Sequence, residues 1–250
     1  MFTDSHIHIG QFYDIYTSPE ELSSFLKSVG VDRYAVSSTT MCEENYAKVR
    51  GELSQLVELD GNKVFPVLWI TPSLLKNDKE LQKFLEIDFI WKCLKVHPQL
   101  APKEWNPMGI NFNRIVSIAR SLRLPILIHT GEEDGCPAGT FEELFRRNSD
   151  ITFILAHSRP IDQTIHIMHR CRNAYADTAF TPLKDILQLI HEGFEDRVLW
   201  GTDYPIPRYY YRDYPMKDYY MRLIMQLKKN LSDRQFLKIT ENNFALVFKS

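Results

Sequence analysis

The sequence contains few cysteines and no surplus of either charge, and both scarcities exclude classes of protein. Only four cysteines occur in 250 residues, far apart and without a CxxC pair, which excludes a zinc knuckle and suggests reduced thiols in the cytoplasm. The formal net charge is −2, so the chain offers no strongly basic surface to nucleic acid or to an anionic membrane. We therefore expect neither of these among its partners.

Long hydrophobic segments and flexible linkers are also missing. No apolar run approaches the ~20 residues that are needed to cross a bilayer. Asp4, His6 and His8 interrupt the N-terminal segment, where a signal peptide would need a continuous apolar stretch. Because repeats and Gly/Ser-rich linkers are absent too, we expect a single domain over residues 1–250, located in the cytoplasm.

The chain instead alternates short apolar runs with longer amphipathic segments. The predicted strands lie at Phe2–His8, Asp32–Thr39, Val64–Ile70, Trp91–His97, Pro125–Thr130, Ile151–His157, Ala174–Asp177 and Arg197–Asp203. The predicted helices lie at Pro19–Ser28, Glu43–Leu59, Asp78–Leu85, Asn111–Leu122, Thr140–Arg147, Pro160–Cys171, Pro182–His191, Asp213–Lys229 and, as an extra C-terminal helix, Asp233–Phe248. Strict alternation predicts parallel strands with right-handed crossovers, and eight such units in 250 residues favour a closed α/β (β/α)8 TIM barrel.

Polar side chains with useful chemistry collect where the predicted strands end. His6 and His8 end the first strand, and side chains two apart on a strand project from the same face. Two such imidazoles can bind one transition metal ion, although a solvated edge strand would carry the same pattern. The ends of later strands supply Lys95, His97, His129, His157 and Asp203. In a barrel all these ends open on one face, where active sites lie, so we expect these residues to converge.

The residue types narrow the chemistry of such a site. Imidazoles with a carboxylate suit Zn²⁺, and Mn²⁺, Fe²⁺ or Co²⁺ are alternatives. Zinc with an open coordination position lowers the pKa of its bound water to ~7. A nearby carboxylate can then accept the water proton, and a histidine can polarise or protonate the reacting group.

The motifs together resemble the amidohydrolase superfamily, and within it the amidohydrolase-related (amidohydrolase 2) family of metal-dependent TIM-barrel hydrolases. The N-terminal D-x-H-x-H pattern is present, the fifth and sixth strands end in LIHTG and LAHS, and the eighth ends in WGTDYP. The matching residues span nearly the whole chain and are Asp4, His6, His8, His129, His157 and Asp203.

The resemblance implies a role for each matching residue. One divalent metal ion would be bound by His6, His8, His129 and Asp203. Asp203 would also accept a proton from water on the metal, and His157 would orient the substrate or stabilise charge in the transition state. Asp4 has no clear role toward the ligands, and it could equally cap the turn at the strand end.

Several further residues have two interpretations each. Lys95 matches the position of a lysine that is carboxylated and bridges two metals in some superfamily members, but a single metal is the favoured reading. His97 either contacts substrate or packs at the barrel rim. Arg159, and Arg208 beside Tyr204, either bind a carboxylate or phosphate of the substrate or lie on the surface. The tyrosine-rich segment 209–220 suits a lid or a homodimer interface.

Three functions remain open from the sequence. The first is a metal-dependent hydrolase of amidohydrolase type, which would act on an amide, ester or lactone bond of a small molecule. The second is a metal-dependent non-oxidative decarboxylase, a lyase, of an aromatic or unsaturated carboxylic acid. The brief connection Gln11–Ser18 argues against it, because family decarboxylases tend to have a large insertion there. The third is a barrel that has lost catalysis and only binds a ligand, which the complete ligand set disfavours.

Overall fold

A curved nine-stranded sheet forms the centre of the computed structural model, which describes residues 2–132 and 136–249. The strand order is β2-β1-β3-β4-β5-β6-β7-β8-β9. The strands are β1 Thr3–Phe12, β2 Ile15–Thr17, β3 Arg33–Ser38, β4 Val64–Trp69, β5 Cys93–Val96, β6 Ile126–His129, β7 Phe153–Ala156, β8 Ala174–Asp177 and β9 Val198–Leu199. All neighbours pair in parallel except β1 and β2, which form an antiparallel hairpin.

The sheet closes on itself between β1 and the segment that follows β9. The backbone N–H of Ser5 donates to the Trp200 carbonyl at 2.7 Å, and the N–H of His8 donates to the Tyr204 carbonyl at 2.7 Å. Between them, the N–H of Asp203 donates to the carbonyl of His6 at 2.8 Å. Eight parallel strands therefore form a barrel, which confirms the predicted TIM-barrel fold.

Helices cover the outside of the barrel. They are α1 Pro19–Val29, α2 Tyr46–Asp60, α3 Pro72–Lys76, α4 Asp78–Leu85, α5 Ile110–Leu122, α6 Glu142–Arg147, α7 Ile161–Arg170, α8 Leu183–His191, α9 Pro207–Tyr210, α10 Met216–Asn230, α11 Asp233–Leu237 and α12 Asn243–Phe248. Their boundaries follow local chemistry, as α1 illustrates. The Ser18 side chain caps its start by accepting from the Glu21 N–H at 3.2 Å, and Gly30 ends it with φ +78°.

The structure corrects several predicted boundaries. The second helix begins at Tyr46 rather than Glu43, because Thr39–Glu43 forms a 3₁₀ turn and the Asn45 side chain caps the α-helix. The C-terminal helix is interrupted by a π-helical turn at Lys238–Asn242. The β2 hairpin and the short helices α3 and α9 were not predicted, since each is too short to show a hydrophobic period.

The packing inside the barrel explains why the strand-end residues face one another. Alternate strand residues such as Phe65, Cys93 and Leu127 form one buried cluster, which Phe244 and Phe248 of α12 complete. In β6, His129 follows Leu127 by two positions and so leaves the strand on the same inward face. Within the described part of the chain, no helix is both long and apolar enough to span a membrane.

Candidate metal centre

Two histidines of β1 and one aspartate after β9 meet at the carboxyl end of the barrel. Oδ1 of Asp203 lies 2.9 Å from Nε2 of His8 and 3.2 Å from Nε2 of His6. All three residues are buried. The close approach depends on Gly201, because a Cβ there would lie 2.9 Å from Cβ of His6. The WGTD segment thus brings Asp203 to β1 at the place where the barrel closes.

The hydrogen bonds behind the two imidazoles define which nitrogen carries the proton. Nδ1 of His6 lies 2.7 Å from the carboxylate Oδ2 of Asp177, and Nδ1 of His8 lies 3.0 Å from Oγ and 3.3 Å from the carbonyl of Ser37. Both Nε2 atoms face the ammonium group of Lys95, which can only donate, so we assign the proton to Nδ1 in each ring. The lone pairs on both Nε2 atoms therefore point toward Asp203.

A buried lysine approaches the same three groups. Nζ of Lys95 lies 2.9 Å from Nε2 of His6 and 3.0 Å from Nε2 of His8. Burial lowers the pKa of Lys95 to about 8, against the opposing effect of Asp203. The location at the end of β5 agrees with the strand-end prediction, and its carboxylation stays a prediction.

Electrostatics favour neutral imidazoles and an ionised carboxylate at neutral pH. Burial, assisted by the charge of Lys95, lowers the pKa of His6 to about 3 and that of His8 to about 4. Burial alone would raise the pKa of Asp203, but that pKa is held well below its usual range, and the attraction between Asp203 and the charge of Lys95 favours the ionised carboxylate. The three groups thus present two nitrogen lone pairs and one negative oxygen to a common point.

The other predicted histidines form a second group beside the first. The His157 ring centroid lies 5.3 Å from that of His6, and Nε2 of His157 lies 3.0 Å from Nδ1 of His129. His129 stacks on His97 with centroids 3.6 Å apart, and His97 stacks in turn on Trp69. His129 therefore contacts His157 rather than Asp203, so its role as a metal ligand stays a prediction.

The residues considered for substrate binding are separated by the fold. Arg159 lines a cavity of about 430 Å³ together with His157, and it donates to the Phe180 carbonyl at 2.6 Å. Arg208 instead forms an ion pair with Glu21 of α1, and Tyr204 stacks on Phe25 of the same helix. Arg208 and Tyr204 are thus engaged by α1 and do not join the group around Asp203.

Sequence reasoning missed one carboxyl group and left a second without a role. Asp177 was not singled out, although it ends β8 and the strand-end rule would have found it. Asp4 accepts from the His6 N–H at 3.1 Å and the Thr202 N–H at 3.2 Å, so it joins β1 to the WGTD segment. The hydroxyl groups of Thr202 and Tyr220 also donate to Asp4, although they lie 198 and 216 residues away in sequence, and no local pattern indicates such contacts.

The donor set fits a divalent transition metal. Three acceptor atoms from His6, His8 and Asp203 lie within 4.8 Å of one another, and a second group of the same kind contains His6, His157 and Asp177. Two imidazole nitrogens and a carboxylate oxygen are ligands that zinc, manganese, iron and cobalt accept. The residues present therefore fit such an ion, and the first group is oriented for it because both Nδ1 atoms already have hydrogen-bond partners.

Comparison with known proteins supports the same architecture. A family model described as Amidohydrolase (Amidohydro_2) matches residues 4–243. Among curated proteins, none matched this chain. A solved structure of an uncharacterised TIM-barrel protein from Bordetella bronchiseptica is similar with a TM-score of 0.74 and 14% identity, over 99% of this chain and 98% of the other.

Two further solved structures carry names that specify a reaction. A probable 2-pyrone-4,6-dicarboxylic acid hydrolase from Acinetobacter baumannii has a TM-score of 0.69 and 9% identity, over 100% of this chain and 99% of the other. A 5-carboxyvanillate decarboxylase from Novosphingobium aromaticivorans, solved with manganese, has a TM-score of 0.72 and 11% identity, over 100% and 96%. At such identities the likeness shows the fold and leaves the reaction open.

Proposed function

Because the chain belongs to the amidohydrolase family, we propose that it is a metal-dependent hydrolase that cleaves an amide, ester or lactone bond of a small molecule. The observation that carries this proposal is the convergence of Nε2 of His6, Nε2 of His8 and Oδ1 of Asp203 at the carboxyl end of the barrel. A single zinc ion is the proposed metal, and manganese, iron and cobalt are alternatives with the same donor preferences.

The proposed ligands are His6, His8, His129 and Asp203. Three of them already face one another, and His129 would join by exchanging its contact with His157 for the ion. When bound, a divalent ion supplies Lewis-acid polarisation and makes water more acidic. If Lys95 is carboxylated instead, a second ion would be held, so metal stoichiometry separates the one-metal and two-metal forms.

The protein's own groups perform the proton transfers. Asp203 is kept ionised by its surroundings and would accept the proton of the attacking water as general base. His157 holds its Nδ1 proton toward the carbonyl of Ala179 at 3.0 Å, which leaves Nε2 directed at the site. It would orient the substrate or stabilise the charge that develops on it.

The cavity beside His157 is the proposed entry for the substrate. Arg159 lies on its wall and keeps donors beyond the one used by Phe180, so it can bind a carboxylate or phosphate of the substrate. His97 and Lys95 are further candidates for substrate contact. We also propose a cytoplasmic location and a homodimer. The interface would use Tyr210, Tyr211 and Tyr214, which are exposed, whereas Tyr219 and Tyr220 of the same segment are buried within the monomer.

A decarboxylase of aromatic or unsaturated acids is the second candidate. Arg159 beside His157 favours it, since an arginine near the metal is the feature that would bind the carboxylate of such a substrate. Against it, the connection between β1 and α1 is brief, because β1 ends at Phe12 and α1 begins at Pro19. Measurement of CO₂ release from a panel of hydroxybenzoates distinguishes the two reactions.

Metal analysis and a substrate panel test the leading proposal. We expect the purified protein to bind one zinc equivalent and to hydrolyse at least one member of an amide, ester and lactone panel. Asp203→Asn should lose most of this activity, whereas the control Asp150→Asn should keep it, because Asp150 pairs with Arg120 away from the strand ends. Full activity in Asp203→Asn contradicts the mechanism, and failure to bind any metal favours the barrel that only binds a ligand.

A further inference from the structure

Asp177 is the last residue of β8, and its carboxyl group is fully buried beside the candidate metal centre. Its Oδ2 lies 2.7 Å from Nδ1 of His6, which is 171 residues away in sequence. Its Oδ1 accepts the backbone N–H of His157 at 2.9 Å and that of Ala179 at 3.0 Å. One carboxyl group therefore joins the strand end that carries His6 to the one that carries His157.

The bond to His6 controls the side of the imidazole that faces Asp203. A carboxylate accepts from the Nδ1–H of His6, which keeps the lone pair on Nε2. Nε2 in turn lies 3.2 Å from Oδ1 of Asp203, on the opposite side of the ring from Asp177. Asp177 is thus placed to act through His6, since it is hydrogen-bonded to the nitrogen that points away from Asp203.

The bonds to the backbone control the position of His157. His157 has φ +69°, a left-handed conformation that costs energy for a residue other than glycine and needs support from its surroundings. Asp177 provides this support by accepting the N–H of His157. It also accepts the N–H of Ala179, whose carbonyl accepts from Nδ1 of His157 at 3.0 Å.

We propose that Asp177 is the positioning residue of this centre: it holds the Nδ1 tautomer of His6 and the strained backbone of His157 at the same time. The expected effect of Asp177 on metal affinity rests on the proposed metal-dependent function. Its effect on the His6 tautomer does not, because that tautomer can be measured in the metal-free protein. Carboxylate partners of metal-binding histidines typically change metal affinity 10–100-fold when they are replaced.

The substitution Asp177→Asn separates these two duties. The amide oxygen can still accept from the N–H groups of His157 and Ala179, but the amide NH₂ would then face Nδ1 of His6 as a donor. His6 would respond by moving its proton to Nε2, where it donates to Oδ1 of Asp203 in place of the Lys95 contact and blocks the lone pair. We expect zinc affinity to fall by about 10–100-fold, measured by titration of zinc against a competing chelator.

Nitrogen-15 NMR of the metal-free protein reads the tautomer directly, with His6→Gln used to assign the signals. We expect the Nδ1–H form in the wild type and the Nε2–H form in Asp177→Asn. The matched control is Asp60→Asn, a carboxyl that is 3% exposed and bonded to Tyr34 far from the site, which should leave both the tautomer and the zinc affinity unchanged.

The outcomes separate this proposal from the proposed function. An unchanged His6 tautomer in Asp177→Asn overturns the positioning role, whether or not the protein binds zinc. A changed tautomer with zinc affinity equal to that of the wild type also overturns it as a property of the metal centre. If the tautomer differs between the wild type and Asp177→Asn as expected but the wild type binds no zinc, the positioning of His6 stays supported and the metal-dependent function is refuted.

Discussion

The bonds made by Asp4 should stabilise the closure of the barrel by a measurable amount. Asp4 is fully buried, and its Oδ2 accepts from the Thr202 hydroxyl at 2.6 Å and the Tyr220 hydroxyl at 2.7 Å. Its Oδ1 accepts from the N–H groups of His6 and Thr202. These four bonds join β1, the segment after β9 and helix α10.

The magnitude follows from the groups that a substitution leaves without a partner. Burial raises the pKa of Asp4 to about 7, so the measurement is made well above that pH, where Asp4 is ionised. There Tyr220→Phe removes one hydrogen bond to a charged acceptor and should cost about 1.5–3 kcal/mol of unfolding free energy. For a domain of this size that lowers the melting temperature by about 3–12 °C. Asp4→Ala leaves four buried donors without an acceptor, at about 1–3 kcal/mol each, and should cost at least about 4 kcal/mol.

Asp4→Asn provides the matched control. Its amide oxygen can accept from both N–H groups while its NH₂ donates to the hydroxyls of Thr202 and Tyr220, which rotate to accept. The variant keeps the shape and most of the bonds, so its melting temperature should fall much less than that of Asp4→Ala.

Thermal unfolding of the two single variants and the double variant, all in chelator to remove metal effects, measures the coupling. We expect Tyr220→Phe to lower the melting temperature far less in the Asp4→Ala background than in the wild type, because its acceptor has already been lost. Equal decreases in both backgrounds would mean that Asp4 and Tyr220 do not interact, and the reasoning would be refuted.

Three further outcomes are expected. Gly10→Ala should lower the unfolding free energy, measured with denaturant, by about 2–5 kcal/mol, because Gly10 has φ +92° and a Cβ would lie 2.7 Å from Oε2 of Glu52. In the control Gly30→Ala the new Cβ meets nothing within 4 Å, so the loss should be only about 1–2 kcal/mol. Burial would raise the pKa of Asp60, but hydrogen bonds from Tyr34, Lys27 and Ser23 outweigh this effect and lower the pKa. The stability that Asp60 contributes is therefore present at neutral pH and is lost as the pH falls through the lowered pKa. The difference in melting temperature between the wild type and Asp60→Asn should accordingly shrink below a pH of about 4. Zinc at about 100 times its dissociation constant should raise the melting temperature by about 5–11 °C, and His8→Ala, which removes a proposed ligand, should abolish the increase.

Local sequence patterns were sufficient for much of the fold. The predicted bounds of helix Asp78–Leu85 and strand Ala174–Asp177 match the structure, because each has a clear period and a clear stop. The alternation of strands and helices also indicates that the carboxyl ends of the strands lie on one face of the barrel, because all strands of a parallel barrel end on that face. From that topological rule alone, His6, His8 and Asp203 are expected to be neighbours.

Only the tertiary structure decided which of these side chains touch. Asp177 bonds to His6, and Arg208 is held by Glu21 across 187 residues, because barrel curvature and helix packing place them together. His129 faces His157 rather than Asp203, although all three side chains lie at the same end of the barrel. Hydrophobic period and residue type specify the face on which a side chain lies, whereas distances and hydrogen-bond partners depend on how the whole barrel closes.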